Sequence, residues 1–254
     1  TVSDAGVLGY DGSLVRSADG NEWEKLLIPA TPATLAAAPD GRTILATTEQ
    51  GLLSSLDGGT SWAYTPQTSH WGVASGFTNG TINGKPYILV GNEAGIGNVP
   101  LTPGVSVVNA SWSLIPPPPG HAAFRTNKIS SSETRNGKPL ANSVVGGCIW
   151  PDHSHGVFHI ATIVNTTYAD WSFQLDQPCI SLALDPNDAD HLIVNNSSNP
   201  SGAHVYESTD GGKTFHGCLN ERGAYQTAID RRGWMYHSSG VGASRNIGGC
   251  TSGK

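Results

Sequence analysis

Short runs of apolar and β-branched residues, separated by turn sequences, recur along the whole chain. The clearest stretch reads ATLAAAPDG, TILATTEQG, LLSSLDGG and SWAYTP, and a similar order returns in CISLALDPNDADHLIVNNSS and AHVYESTDGGKTFHG. Apolar runs of about 4–8 residues bounded by Gly, Pro, Asn and Asp are typical of β-strands. No long stretch carries apolar residues at helical spacing. The pattern predicts an all-β protein with short strands and tight turns.

One motif recurs at the end of a predicted strand. Residues 55–62 read SLDGGTSW and residues 208–215 read STDGGKTF, whereas residues 17–23 read SADGNEW, one residue shorter. The motif suits a turn, because the Asp carboxylate can accept bonds from backbone N–H groups and glycine takes a positive φ. We assign structural roles to Ser17, Asp19, Trp23, Ser55, Asp57, Gly59, Trp62, Ser208, Asp210, Gly212 and Phe215.

The motif resembles the Asp box, or BNR repeat, with the pattern S/T-x-D-x-G-x-T/S-W/F. Asp-box proteins include sialidases, xyloglucan-cleaving glycoside hydrolases, sortilin-type receptors and a photosystem assembly factor. The run from ISLALDPNDADHLIV to VYESTDGGKTF looks most like the blades of the xyloglucanase group. The resemblance implies a β-propeller of four-stranded antiparallel blades, with the boxes on the face opposite the active site. Asp57 and Asp210 are therefore expected to be structural.

The aromatic residue of each box sets the phase of the repeat. Trp23, Trp62, Trp112, Trp171 and Phe215 are separated by 39, 50, 59 and 44 residues, which fits one four-stranded blade each plus insertions. We predict one domain with about six visible blades and six or seven overall. The blades are residues 1–30, 31–66, 67–117, 118–176, 177–220 and 221–254. The first would lack its first strand and the last its fourth, so further polypeptide could complete the propeller.

Composition and charge narrow the range of partners. Charged residues make up 13% of the chain and the net charge is -6, with no basic stripe of the kind that binds nucleic acid. No apolar run approaches the roughly 20 residues of a membrane-spanning helix. Sequons for glycosylation begin at Asn79, Asn109, Asn165, Asn195 and Asn196. Together with the cysteines, they favour a secreted, extracellular glycoprotein.

The four cysteines lack the spacing of a metal site and allow two disulfides. Cys148 ends a predicted second strand at the face where Cys179 begins the next blade, and Cys218 and Cys250 lie in the outer strands of the two blades that follow. We expect the pairs Cys148–Cys179 and Cys218–Cys250, although four cysteines allow three connectivities.

Acidic residues recur at one equivalent loop. The connections between predicted second and third strands carry Asp11, Glu49 and Glu93 in three consecutive blades. Glycoside hydrolysis needs two carboxylates, about 5 Å apart for retention or 6.5–9.5 Å for inversion. Glu49 could act as the base, with Asp11 or Glu93 as the acid. The simpler interpretation is that these are turn residues facing water.

The loop around Trp150 offers a second group of candidates on the same face. Trp150 could stack on a sugar ring, and residues nearby could contact a ligand. The candidates are Trp150, Asp152, His153, His155, His204 and His237. His-x-His in a loop is more often solvated surface, and neither a metal nor a cofactor is predicted. Arg125 is a loose match to the first of the three sialidase arginines, but no second or third follows in phase.

The sequence is compatible with two functions. The favoured one is a non-catalytic recognition or scaffold module for a glycan or an extracellular protein partner. The alternative is a glycoside hydrolase that acts on a cell-wall-type polysaccharide through a carboxylate pair.

Overall fold

Antiparallel sheets account for most of the described residues in the structure, which is a computed structural model. It describes residues 2–3, 6–10, 14–17, 22, 24–37, 42–48, 51–66, 76–92, 95–102, 105, 107, 110–116, 129–149, 157–164, 167–173, 179–196, 205–219, 226–239 and 242–246. These ranges contain no α-helix. A search of them for a helix with the length and apolarity to span a membrane finds none.

Six sheets follow one another along the chain. Sheet 1 holds β1 (Val2–Ser3), β2 (Gly6–Tyr10), β3 (Leu14–Ser17) and β4 (Glu24–Lys25). Sheet 2 holds β5 (Pro32–Ala37), β6 (Ile44–Thr48), β7 (Gly51–Ser55) and β8 (Ala63–Pro66). Sheet 3 holds β9 (Gly76–Ile82), β10 (Lys85–Asn92), β11 (Gly95–Pro100) and β12 (Ser113–Ile115).

The later sheets repeat this plan. Sheet 4 holds β13 (Ile129–Arg135), β14 (Lys138–Ile149), β15 (Val157–Val164) and β16 (Thr167–Phe173). Sheet 5 holds β17 (Cys179–Asp185), β18 (Asp188–Asn196), β19 (Val205–Ser208) and β20 (His216–Leu219). Sheet 6 holds β21 (Gln226–Ile229), β22 (Met235–Ser239) and β23 (Gly242–Asn246).

Each sheet is an antiparallel meander in chain order. The connections from first to second strand and from third to fourth strand therefore emerge at one edge, which we call the turn face. The connections from second to third strand emerge at the opposite edge. Sheet 1 has four strands, in contrast to the incomplete first blade expected from the sequence, because Val2 and Ser3 pair with Val7 and Gly6. Sheet 6 has three strands within the described ranges.

Apolar layers lie between consecutive sheets. Alternate residues of one strand point to opposite neighbours, as the period of a β-strand requires. In β18, Leu192 and Val194 pack towards sheet 4, whereas Ile193 packs towards sheet 6. In β14, Val144 packs towards sheet 5 and Val145 towards sheet 3. Both faces of these strands are buried, which explains the nearly continuous apolar runs in the sequence.

The first strands of sheets 2 to 6 lie side by side in chain order. Hydroxyl groups join them across the sheet boundaries. Thr78 Oγ1 and Ser131 Oγ are 2.9 Å apart, linking β9 to β13. Ser130 Oγ accepts from Leu184 N at 3.0 Å, linking β13 to β17. These bonds fix the inner strands relative to one another.

Candidate functional site

Most of the site residues predicted from the loop between second and third strands lie outside the described residues. These are Asp11, Glu49, Glu93, Trp150, Asp152, His153, His155 and His204. His237 is in β22, where its backbone pairs with Thr227 and Ser244, but its side chain is not among those described. The acidic loops therefore remain a prediction.

The two complete motif loops adopt the same hydrogen-bonded turn. Asp57 Oδ1 accepts from Ser61 N at 2.9 Å and from Ser55 Oγ at 2.8 Å. Asp210 Oδ1 accepts from Thr214 N at 2.9 Å and from Ser208 Oγ at 2.8 Å. Ser61 Oγ donates to Asp57 Oδ2 and Thr214 Oγ1 donates to Asp210 Oδ2, both at 2.6 Å. The hydrogen bonds from the hydroxyls and backbone amides hold the pKa of both carboxyls well below the ordinary value.

The glycine and aromatic positions of these loops also have local causes. Gly59 and Gly212 have φ of 93° and 84°, in the left-handed region that favours glycine. Trp62 packs against the layer between sheets 1 and 2, and Phe215 against the layer between sheets 4 and 5. Both loops use their Asp to close a turn, which leaves no reactive carboxylate there. Asp19 and Trp23 lie outside the described residues, as does the side chain of Ser17.

A disulfide joins Cys148, in β14, to Cys179, at the start of β17. It connects sheets 4 and 5 at the end opposite the turn face. Both residues are buried, with 0% and 1% of their surface exposed. Cys218 is disulfide-bonded as well. Cys250 lies outside the described residues, so the second pair stays a prediction.

The sequons lie in unequal settings. Asn195 is completely buried, and Asn79 donates from Nδ2 to Ala37 O at 2.9 Å. A glycan is attached through that nitrogen and needs open space, so neither side chain is placed to carry one in this conformation. Asn109, Asn165 and the side chain of Asn196 lie outside the described residues, where glycosylation stays a prediction.

A cavity of about 630 Å³ opens among the first strands of sheets 2 to 6. Its lining is drawn mainly from the ends of those strands and from the turns that follow them, so the cavity lies towards the turn face. The lining includes Asn79, Ser131, Glu133, Asn187, Ala228 and Arg232. Small-molecule sites usually occupy about 300–1,000 Å³. The cavity has the size of a ligand site.

A fixed polar cluster closes one side of the cavity. Asp230 Oδ1 accepts from the backbone N of Arg232 at 2.8 Å and of Trp234 at 3.0 Å. Asp230 Oδ2 accepts from Arg232 Nε at 2.8 Å and from the Tyr236 hydroxyl at 2.9 Å. Burial alone would raise the pKa of Asp230, but these bonds hold it below the ordinary value. The Arg232 guanidinium also lies 3.7 Å from the centroid of the Trp234 ring.

A second buried cluster lies within sheet 5. His191 Nδ1 is 2.8 Å from Asp185 Oδ2, and His191 Nε2 is 2.9 Å from Glu207 Oε1. The hydrogen bonds to Asp185 and then to Glu207 raise the pKa of His191 to about 9. A protonated imidazole donates from both nitrogens, so the charged ring bridges two carboxylates. The cluster ties β17, β18 and β19 together.

The sequence-based predictions missed Asp185, Asp230 and His191. Asp185 and Asp230 each follow an apolar first strand, in SLALD and QTAID, and each accepts from the backbone N two residues later. That shared position could have marked them as turn residues. No local pattern marks His191, since its partners lie on two neighbouring strands.

Comparisons with known proteins define the fold. The sequence matches no protein-family profile and no curated protein. Similar solved structures include the GH74 xyloglucanase from Xanthomonas campestris, at 18% identity and a TM-score of 0.60, with 93% of this chain and 41% of that chain covered. YCF48 from Cyanidioschyzon merolae aligns at 15% identity and a TM-score of 0.57, over 95% of this chain and 78% of that chain.

The Dos1 propeller is also similar, at 12% identity and a TM-score of 0.55, over 91% of this chain and 61% of that chain. The chain spans about two fifths of the length of the xyloglucanase. Identities this low support a fold and leave the function open. The sheet order and these similarities confirm the predicted fold class: the chain folds as a β-propeller of antiparallel sheets.

Proposed function

We propose that this propeller is a non-catalytic recognition module for a glycan or an extracellular protein partner. The observation that carries the proposal is the state of the carboxylates at the cavity. Glycosidic bond cleavage needs two carboxyl groups that can act on one substrate. The described cavity lining has Glu133 and Asp230 as its carboxylates, and Asp230 is held by Arg232 and Tyr236. One available carboxylate can bind a ligand but does not supply the pair at this cavity.

Further features support an extracellular Asp-box protein. The turns at residues 55–62 and 208–215 have equivalent hydrogen bonds, as expected of repeated Asp boxes. The Cys148–Cys179 disulfide suits an oxidising compartment. We therefore include secretion in the proposal. The remaining sequons offer sites where glycans would be found by mass spectrometry of protein from its native source.

A glycoside hydrolase is the alternative, and one sequence observation favours it. In the sequence, Asp11, Glu49 and Glu93 fall between the second and third strands of three consecutive sheets. Two of them could form a catalytic pair on adjacent sheets. The similarity to xyloglucanase structures concerns the fold and adds nothing to this alternative.

One experiment separates the two functions. The wild-type protein and Glu49→Gln are incubated with a panel of cell-wall polysaccharides, and both retention of the protein and release of new reducing ends are measured. We expect retention without release for both proteins. Release that disappears in Glu49→Gln would establish the hydrolase and refute the non-catalytic proposal. If neither a polysaccharide nor an extracellular protein is retained, the recognition proposal is wrong.

A further inference from the structure

We propose that the cavity on the turn face binds the end of a neutral, polyhydroxylated ligand such as an oligosaccharide. This inference rests on the recognition function proposed above and assigns that function a place and a ligand class. It puts the ligand on the face that carries the Asp57 and Asp210 turns, opposite the edge where second strands lead into third strands.

The position of the cavity follows from the strand order. Its lining includes Ala37 at the end of β5, the turn residue Asn187 after β17, and Arg232 in the turn after β21. The third-to-fourth-strand turns emerge at the same edge. Gly58 N donates to Arg42 O at 2.9 Å and Gly211 N donates to Asp190 O at 2.8 Å. In sheets 2 and 5, these bonds join the connection between first and second strands to the turn between third and fourth strands.

The cavity presents polar atoms whose hydrogen-bonding capacity no described residue uses. Asn79 Oδ1 is buried and accepts no hydrogen bond. The Glu133 carboxylate has no hydrogen bond or ion pair to any described residue. Arg232 bonds Asp230 through Nε and Nη2, which leaves Nη1 free to donate. A buried polar group without a partner costs free energy, so a bound molecule that donates to Asn79 Oδ1 is favoured. Glu133 is half-buried and Arg232 is exposed, so both can reach a ligand in the cavity.

Hydrogen bonds hold the backbone around the cavity in place before any ligand binds. Ser131 Oγ donates to Asn79 O and contacts Thr78 Oγ1. Asn187 Nδ2 donates to Arg231 O at 2.8 Å, which fixes the turn after β17 to the turn after β21. Rigid, preformed sites lose little conformational entropy on binding. The cavity therefore needs no rearrangement of its strands to accept a ligand.

The lining favours a neutral ligand. Glu133 and Asp230 carry negative charge, and Arg231 and Arg232 carry positive charge. The charges of the lining balance, so they attract neither an anion nor a cation preferentially. The available groups combine acceptors, on Glu133 and Asn79, with a donor on Arg232. A sugar hydroxyl is both donor and acceptor, so a polyhydroxylated chain end can pair with all three.

The test is calorimetric titration of the full chain with neutral tetrasaccharides of glucose, mannose and galactose. Tetragalacturonate is the charged match for the galactose ligand, and a neutral tetrapeptide is the control for a peptide site. Ala228→Trp fills the cavity from an exposed position on β21, and Glu133→Ala removes the available carboxylate. Ala63→Trp, at an exposed position on the outer strand β8, is the matched control for the added ring. Thermal melting verifies that each variant folds.

We expect at least one neutral tetrasaccharide to bind, with affinity at least tenfold weaker in Ala228→Trp and Glu133→Ala and within twofold of wild type in Ala63→Trp. Tetragalacturonate should bind at least tenfold more weakly than the galactose ligand. Binding that survives both cavity variants but is lost in Trp150→Ala would overturn the assignment to this face and keep the recognition function. A preference for the tetrapeptide or for tetragalacturonate would overturn the ligand class. Absence of any saccharide binding would overturn the inference, while the protein-partner form of the recognition function is judged by retention of an extracellular protein.

Discussion

Charged side chains in the described structure are mostly committed to partners at fixed distances. Asp185, Glu207 and His191 form one such group, with 9%, 6% and 17% of their side-chain surfaces exposed. A charge removed from water is stable only if its partner supplies comparable interactions. The imidazolium supplies these interactions to both carboxylates. Loss of the ring would therefore leave Asp185 and Glu207 buried without a positively charged partner.

His191→Leu should therefore destabilise the protein by about 3–5 kcal/mol, the range for breaking a buried ion pair. His191→Gln should cost less, because an amide can still donate to a carboxylate. Equilibrium unfolding in urea at pH 6 measures both variants against wild type. Equal costs for the two variants would show that ring packing, and not hydrogen bonding, holds the cluster together.

The same measurement across pH gives a signed test. The pKa of His191 is raised from 6.5 to about 9, so the stabilisation is fully present below pH 6.5 and is lost as the pH rises through 9. The unfolding free energy of wild type should fall from pH 6.5 to 10, and that of His191→Gln should fall less steeply. A parallel decline in both proteins would contradict the raised pKa.

Residues whose role depends on neighbours in the chain could be predicted from the sequence. Asp57 and Asp210 accept hydrogen bonds from hydroxyls and amides within four positions, so a single short motif predicts their structural role. His191 bonds to partners 6 and 16 positions away. Pairing across strands depends on register, which no short motif encodes.

Strands, too, could be predicted from the sequence where their pattern is local. The apolar runs predicted the well-buried strands, since alternate side chains fill the layers on both sides of a sheet. The short strand β1 escaped prediction, because its two residues, Val2 and Ser3, are too few to show any period. Some turns between strands require glycine because a Cβ there would clash with a residue far away in the sequence. Such a clash can be recognised only in the structure.

Gly95 lies where an added Cβ would clash with the neighbouring strand. It begins β11 with φ of 143°, and an added Cβ would lie 2.1 Å from the backbone oxygen of Ile115. Ile115 is held in register opposite Ile96, so its oxygen cannot move without breaking the pairing of β11 and β12. Gly95→Ala should cost about 2–5 kcal/mol from backbone strain and overpacking together.

Gly137→Ala is the matched control for this variant. Gly137 has φ of 71° and open space around the position of an added Cβ. Its substitution should cost only the strain of positive φ, about 1–2 kcal/mol. Urea unfolding compares the two variants, and an equal loss of stability would show that contact with Ile115 contributes nothing.

The described residues form a series of sheets that pack face to face, mainly on the sheets next to them in the chain. This order could be predicted from the repeat, because the phase of the aromatic residues reflects successive sheets. The place of the ligand site could not. The sequence analysis singled out the acidic loops, whereas the cavity is assembled from residues of five sheets that are far apart in the chain.

The Cys148–Cys179 disulfide tests how strongly neighbouring sheets depend on one another. It links sheets 4 and 5 across 31 residues, and a closed loop of that length is expected to contribute about 3–4 kcal/mol by restricting the unfolded chain. The double variant Cys148→Ala, Cys179→Ala should lose about that much stability, because alanine leaves no polar group in the buried site. Hydrogen exchange should accelerate most in β14 and β17, which the bond joins, and least in sheet 2. A loss below about 1 kcal/mol would mean that the apolar layer around Leu182 and Val144 holds the two sheets together without the covalent link.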